Sequence, residues 1–173
     1  MAFTPPERDI HFLLHDVFRL PDEWQTIPAL ADFTADVVDA VIQEGGRVAS
    51  EVLSPLNQVA DSEGCTWNNG VVTTPSGFRE GFASFVQGGW LGLSGNPQYD
   101  GQGMPKTLGC LVEEMFWAAN PSLYLYGTLS VGAALCIDSH GTAAQKAMYL
   151  PRLYSGEWTG TMCLTEAHAG TDL

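Results

Sequence analysis

The chain has 173 residues, 45% hydrophobic and 16% charged, with 7 Lys and Arg against 20 Asp and Glu for a net charge of −13. Apolar content this high at so low a charge density excludes a disordered polyelectrolyte. The acidity argues against nucleic-acid binding, because few cations are available to replace phosphate counterions.

The start, MAFTPPERDI, has neither the basic region nor the apolar run of a secretory signal, and it is too acidic for a mitochondrial presequence. Cys65, Cys110, Cys136 and Cys163 are too scattered for a zinc or redox motif and read as small buried hydrophobes of a reducing compartment. Both observations point to a cytoplasmic protein. Thr4-Pro5-Pro6-Glu7 fits a capping box opening a helix that carries Ile10, Leu13, Leu14 and Val17 and ends near Leu20, before Pro21. His11 and His15 have a four-residue spacing that can hold a metal. No acidic or histidine partner stands in the local pattern, so surface or packing histidines are expected and no metal site.

A long helix is predicted from about Asp32 to Ser54, on the phase of Val37, Val41, Gly45, Val48, Val52 and Leu56, with Pro55 as its stop. Gly45-Gly46 costs it about 1 kcal/mol per glycine without breaking the phase. Residues 61–77 read as a loop. Phe78, Phe82, Phe85 and Trp90 form an aromatic stripe of core type. Residues 92–103 read as a tight surface loop, since they lack the Gly-Lys-Ser/Thr ending of a phosphate loop. Helices follow from about Pro105 to Ala119 and from Pro121 to about Ile137, with Asn120 as the cap of the second. Residues 115–137 carry no charge and are long enough to cross a bilayer. Asn120-Pro121 divides them, so two helices buried on most faces are expected rather than a membrane span. Thr142 and Gln145 form a second capping box for a short helix that Pro151 stops.

From Trp158 to Thr165 the pattern changes to period two, with Trp158, Met162 and Leu164 on one face and Thr159, Thr161, Cys163 and Thr165 on the other. This reads as a strand, running into the small-residue turn Ala169-Gly170-Thr171. Such a turn lets a ligand approach the main chain, and successive N–H groups with a hydroxyl can hold a phosphate.

The residues Gly160-Thr161-Met162-Cys163-Leu164-Thr165-Glu166, followed by Ala169-Gly170-Thr171-Asp172, resemble the flavin-binding signature of the acyl-CoA dehydrogenases. Gln145-Lys146, Tyr149-Leu150-Pro151 and Ser155-Gly156-Glu157 resemble the approach to that signature, and Tyr99-Asp100-Gly101-Gln102-Gly103 is similar to a glycine loop of the family. Arg8-Asp9-Ile10 with Phe12-Leu13-Leu14-His15 is similar to an N-terminal extension in one branch, which includes the 3-methylmercaptopropionyl-CoA dehydrogenases. Ala167 stands where the family usually has Pro, His168 where a small residue is common, Asp100 where Gly is commoner, and Ala143-Ala144 where acidic residues are usual.

The resemblance spans essentially the whole chain. It implies a mainly α fold: an N-terminal extension (1–30), the family's N-terminal helical domain (31–156) and the first strand of a flavin-binding β-domain (157–173). It implies FAD as cofactor, an acyl-CoA substrate, an electron-transferring flavoprotein as partner and a homo-oligomer when complete. By the same resemblance Met162, Cys163, Leu164, Thr165, Gly170 and Thr171 bind the cofactor, Thr171 also meets the acyl-CoA, and the catalytic base lies beyond Leu173. Glu166 and Asp172 read as strand-end structure rather than acid–base groups. The alternative is a non-catalytic helical interaction module derived from that family.

Overall fold

The computed structural model describes residues 3–172. Helices dominate: α1 (Glu7–His11), α2 (Leu20–Gln25), α3 (Ala35–Val48), α4 (Ser54–Glu63), α5 (Phe78–Gln87), α6 (Lys106–Ala119), α7 (Pro121–His140) and α8 (Ala143–Tyr154). One antiparallel hairpin, β1 (Thr66–Asn68) and β2 (Val71–Thr73), interrupts them. α3 packs on α6, α6 on α7 and α7 on α8.

The core lies where these helices meet. Leu14, Val38, Ile42, Leu53, Phe85, Leu108, Val112, Met115, Phe116 and Leu123 are fully enclosed, each worth about 1.5–3 kcal/mol of apolar burial. The aromatic stripe is core, as expected. The Phe85 and Phe116 rings meet edge-to-face at 5.2 Å, and Trp90 meets Phe116 in the same way at 5.2 Å. A smaller cluster of Ala134, Leu150, Leu153 and Tyr154 joins α7 to α8.

Several expectations need correction. The first helix is not opened by a capping box: Pro6 is its N-cap, with no side-chain hydrogen bond. After a π-type stretch over Phe12–Val17, the left-handed Arg19 (φ 50°) turns the chain before Leu20, so Pro21 sits in the first turn of α2 rather than after a helix.

Pro55 does not stop the long helix either. α3 passes through a π-type turn (Ala49–Leu53) directly into α4, with Pro55 in the first turn of α4. A proline lacks the N–H and crowds the carbonyl four residues back, and the wider turn accommodates both. The buried phase is Val38, Ile42, Gly45, Ala49 and Leu53, whereas Val37 is exposed. The glycine pair is a packing requirement: a Cβ on Gly45 would lie 3.1 Å from Val112 Cγ1, and one on Gly46 would lie 3.1 Å from Pro5 Cβ.

Residues 61–77 are more than a loop. Trp67 pairs with Val72 across Asn69-Gly70, both at positive φ (48° and 85°), the backbone of a type I′ hairpin turn. Pro151 lies inside α8, which continues to Tyr154, although the Thr142–Gln145 capping box forms as expected. All four cysteines are exposed rather than buried. α7 is apolar around its circumference yet leaves Leu125, Tyr126 and Leu135 in solvent. No helix among the described residues is long and apolar enough to cross a membrane.

Asn120 behaves as the sequence suggests and does more. Its Oδ1 accepts from the Leu123 N–H at 3.0 Å, capping α7, and its Nδ2 donates to the Leu53 carbonyl at 3.0 Å, in the π-type turn. The side chain is completely buried.

Candidate functional site

Residues 158–172 leave the helical body as an arm held at its root. The Trp158 N–H donates to the Arg152 carbonyl at 3.0 Å, and the Arg152 guanidinium stands 4.3 Å over the Trp158 ring. Gly160 lies directly on α7: a Cβ there would sit 2.6 Å from that of Ala133. Its N–H donates to the buried Ser130 Oγ at 2.9 Å. The absence of a side chain at Gly160 is therefore what lets the arm start flush with the helix.

Beyond Gly160 the arm forms no strand among the described residues. Among the described residues the main chain of 161–165 pairs with no other segment, and the only bridge is Glu166 with Ala169, closing a tight turn over Ala167 and His168. The alternation that predicts a strand from Trp158 is present. A ladder also needs a partner edge, and none lies alongside. The candidate cofactor residues follow one another along the arm: Met162, Cys163, Leu164 and Thr165 before the turn, Gly170 and Thr171 after it, all exposed. They are brought together by contiguity, not by convergence of distant elements. Leu173 falls outside the described residues.

A cleft of about 210 Å³ opens between α6, α7, α8 and the 92–103 loop, its walls including Trp90, Leu93, Phe116, Ala134 and Tyr154. One turn of α7 serves both features, with Ala133 under the arm and Ala134 in the cleft wall. Polar groups in this wall include Ser94, Lys106, Glu113, Tyr124 and Asp138. Burial pushes the half-buried Glu113 carboxyl above the ordinary carboxylate range, partly opposed by the Tyr124 hydroxyl. Burial, reinforced by the Glu113 charge, pushes the Tyr124 phenol up as well.

At the rim, Tyr154 Oη accepts from the Asn96 N–H at 3.1 Å, and Asn96 Nδ2 donates to Asp138 at 2.9 Å. Lys146 Nζ stands 3.8 Å from the same carboxylate. This network ties the loop to α7 and α8. Sequence reasoning missed it because its partners are 58 and 42 residues apart. Glu113 did leave a signal: of the adjacent carboxylates Glu113 and Glu114 it is the one directly after the core residue Val112.

The raised Glu113 carboxyl has a consequence for stability. The folded state holds that proton more tightly than the unfolded chain, so the contribution is fully present below the unfolded value. It is lost as pH rises through the folded one. Glu113→Gln removes the buried charge. Its Tm should exceed that of the parent at neutral pH, and the difference should vanish as pH falls below the usual carboxylate range. Thermal melts at several pH values check this, and a pH-independent difference would contradict it.

Comparison with known proteins agrees with the helical architecture. A family described as acyl-CoA dehydrogenase, N-terminal domain, matches residues 40–157. The chain is 36% identical over all 173 residues to the 3-methylmercaptopropionyl-CoA dehydrogenase of Ruegeria pomeroyi, covering 29% of that protein. It is 34% identical over 170 residues to a butyryl-CoA dehydrogenase of Syntrophomonas wolfei, covering 96% of this chain and 28% of that protein. Over 86 residues it is 38% identical to the mitochondrial isovaleryl-CoA dehydrogenase of Arabidopsis thaliana, covering 47% of this chain and 20% of that protein. The chain thus spans less than a third of the length of these relatives. A helical bundle that matches the family over most of its length, and shares more than a third of its residues with one member from end to end, belongs to the acyl-CoA dehydrogenase family as its N-terminal part.

Proposed function

We propose that the chain is the N-terminal part of an FAD-dependent dehydrogenase that introduces an α,β double bond into an acyl-CoA thioester, with 3-methylmercaptopropionyl-CoA the first substrate to test. The observation that supports this is the likeness to the Ruegeria protein along the whole of this chain, which includes the arm as well as the helical body. The arm also has the chemistry to form one wall of a flavin site. Its main chain between 161 and 165 is unpaired among the described residues, Thr165 and Thr171 expose hydroxyls, and Gly170 has no atom within 4 Å of where a Cβ would stand.

When bound, the flavin supplies the acceptor for the hydride leaving the β-carbon. This chain's residues bind and orient. Met162 and Leu164 offer apolar and main-chain contact to the ring, and Cys163 lies between them. Thr165 hydrogen-bonds its polar edge. Gly170 permits close approach, and Thr171 meets the pyrophosphate and the acyl-CoA. The apolar cleft beside the arm, with Glu113 and Tyr124 in its wall, is suited to an acyl chain. No residue of this chain is assigned as the base. An electron-transferring flavoprotein as acceptor, assembly into a homo-oligomer and a cytoplasmic location belong to the same proposal.

The 173-residue chain, incubated with FAD and then freed of unbound flavin by gel filtration, should elute colourless. A few hydrogen bonds at about 1 kcal/mol each cannot offset an association cost of roughly 4–15 kcal/mol. Expression of the gene to its natural stop codon should yield a yellow protein bleached by acyl-CoA. In that protein Thr171→Val should weaken FAD or acyl-CoA binding by about tenfold or more, the value of one hydrogen bond to a charged phosphate, and Thr165→Val should shift the flavin spectrum. A flavin-free product that acyl-CoA leaves unchanged would overturn the enzyme reading in favour of a non-catalytic helical module.

A further inference from the structure

We propose that His11, His15 and Asp39 form a binding site for a late first-row divalent cation, Zn²⁺ in the first instance, that clasps the N-terminal segment to α3. The four-residue spacing of the histidines offers two possible ligands, but the segment that carries them offers no third. The fold supplies one from 24 residues further along the chain. His11 lies at the end of α1, His15 in the π-type turn that follows, and Asp39 in the second turn of α3.

The three side chains converge on one point. His15 Nε2 lies 2.7 Å and His11 Nε2 3.5 Å from the same oxygen, Asp39 Oδ1. The imidazole rings are stacked, with centroids 5.1 Å apart and planes at 27°. The three ligand atoms lie within 4.8 Å of one another. A tetrahedral ion with bonds of 2.0–2.2 Å holds its ligand atoms about 3.3 Å apart. The His11–Asp39 separation already meets this. The His15–Asp39 hydrogen bond has to open by roughly half an ångström, and the two imidazole nitrogens, which lie within 4.8 Å of each other, have to settle at about the same spacing, both by side-chain rotation.

His15 is hydrogen-bonded to Asp39, and His11 brings a second imidazole nitrogen to 3.5 Å from the same oxygen. Two imidazole nitrogens and one carboxylate oxygen form a donor set for zinc, cobalt, nickel or copper rather than for magnesium or calcium, which take oxygen. Three protein ligands leave a fourth position for water. The ligand side chains keep between a quarter and a half of their surface in solvent, so an ion has a way in. The net charge of −13 raises the local cation concentration.

The test titrates Zn²⁺ into the full chain after alkylation of its cysteines, since all four thiols are exposed and would compete. One Zn²⁺ per chain should bind with a rise in Tm, and excess Mg²⁺ should not displace it. His11→Ala, His15→Ala and Asp39→Asn should each weaken binding at least tenfold and abolish the rise in Tm. His11 and Asp39 are the more exposed pair, so those variants report on the site even if His15→Ala perturbs packing. Absence of saturable Zn²⁺ binding, or parental affinity in folded His11→Ala and Asp39→Asn proteins, would overturn the assignment.

Discussion

Asn120→Ala should lower the free energy of unfolding by about 2–4 kcal/mol, a loss of roughly 10 °C in Tm for a chain of this size. Two separate costs combine. The α7 cap at the Leu123 N–H disappears, worth about 1 kcal/mol. The Leu53 carbonyl loses its side-chain donor and the buried amide leaves a small void, together worth about 1–3 kcal/mol. Asn120→Ser separates the two, since a hydroxyl can still accept from the cap position but is too short to serve Leu53 as well. The serine variant should recover about 1 kcal/mol of the alanine loss. Denaturant unfolding of the three proteins measures this, and an alanine variant within 0.5 kcal/mol of the parent would contradict the bridging role.

Gly101→Ala should be more damaging still, costing at least about 3 kcal/mol or unfolding the 92–103 loop outright. A Cβ at Gly101 would overlap the Gly95 carbonyl group and lie 2.6 Å from the Asn96 nitrogen. These obstacles are main-chain atoms, so no side-chain rotation relieves them. The loop is tied into the body: Gln102 N–H bonds to the Gly92 carbonyl at 2.8 Å, Gly103 N–H to Gly95 at 2.9 Å and Met104 N–H to Leu93 at 2.9 Å. Displacing Gly95 and Asn96 also pulls on Tyr154 and Asp138. Faster proteolysis within residues 95–104 and altered fluorescence of the nearby Trp90 would report the change. Gly132→Ala is the control of opposite sign. It lies within α7 with nothing inside 4 Å of a Cβ, and should stabilise by about 0.5–1 kcal/mol. Equal losses at both positions would refute the steric account.

The parts of the fold that were legible in the sequence are those set by neighbours in the chain. The Asn120-Pro121 boundary and the Thr142–Gln145 box are local chemistry, and both form as read. Sequence reasoning missed the hairpin, although Asn69-Gly70 between Trp67 and Val71-Val72 is a strong local turn signal, because the segment reads as a loop in an otherwise helical context. Pro55 and Pro151 misled, since a proline stops only a helix that cannot widen or lacks support from its neighbours. The phase error at Val37 has a similar source: several apolar stripes fit the same stretch, and α6 decides which one is buried.

The candidate cofactor residues were legible only through resemblance. Alternation from Trp158 to Thr165 states that a segment can be a strand, not which edge it joins. The Asn96–Asp138–Tyr154 network and the meeting of His11, His15 and Asp39 depend on helix pairing, which no short spacing encodes.

The two glycines of α3 make that helix a thin partition. Val112 bears on it at Gly45 and Pro5 at Gly46, about 100° further round the helix, with no side chain at either contact. A rigid partition transmits pressure. Enlarging the side chain at 112 pushes α3 bodily toward Pro5 and Glu7, because no side chain at 45 or 46 can rearrange to absorb the displacement. Substitutions at 5 and 112, which share no direct contact through the helix, should therefore have non-additive effects on stability. The N-terminal segment thus acts as the outer plate of a press, setting how far α3 can yield to whatever packs against it from within.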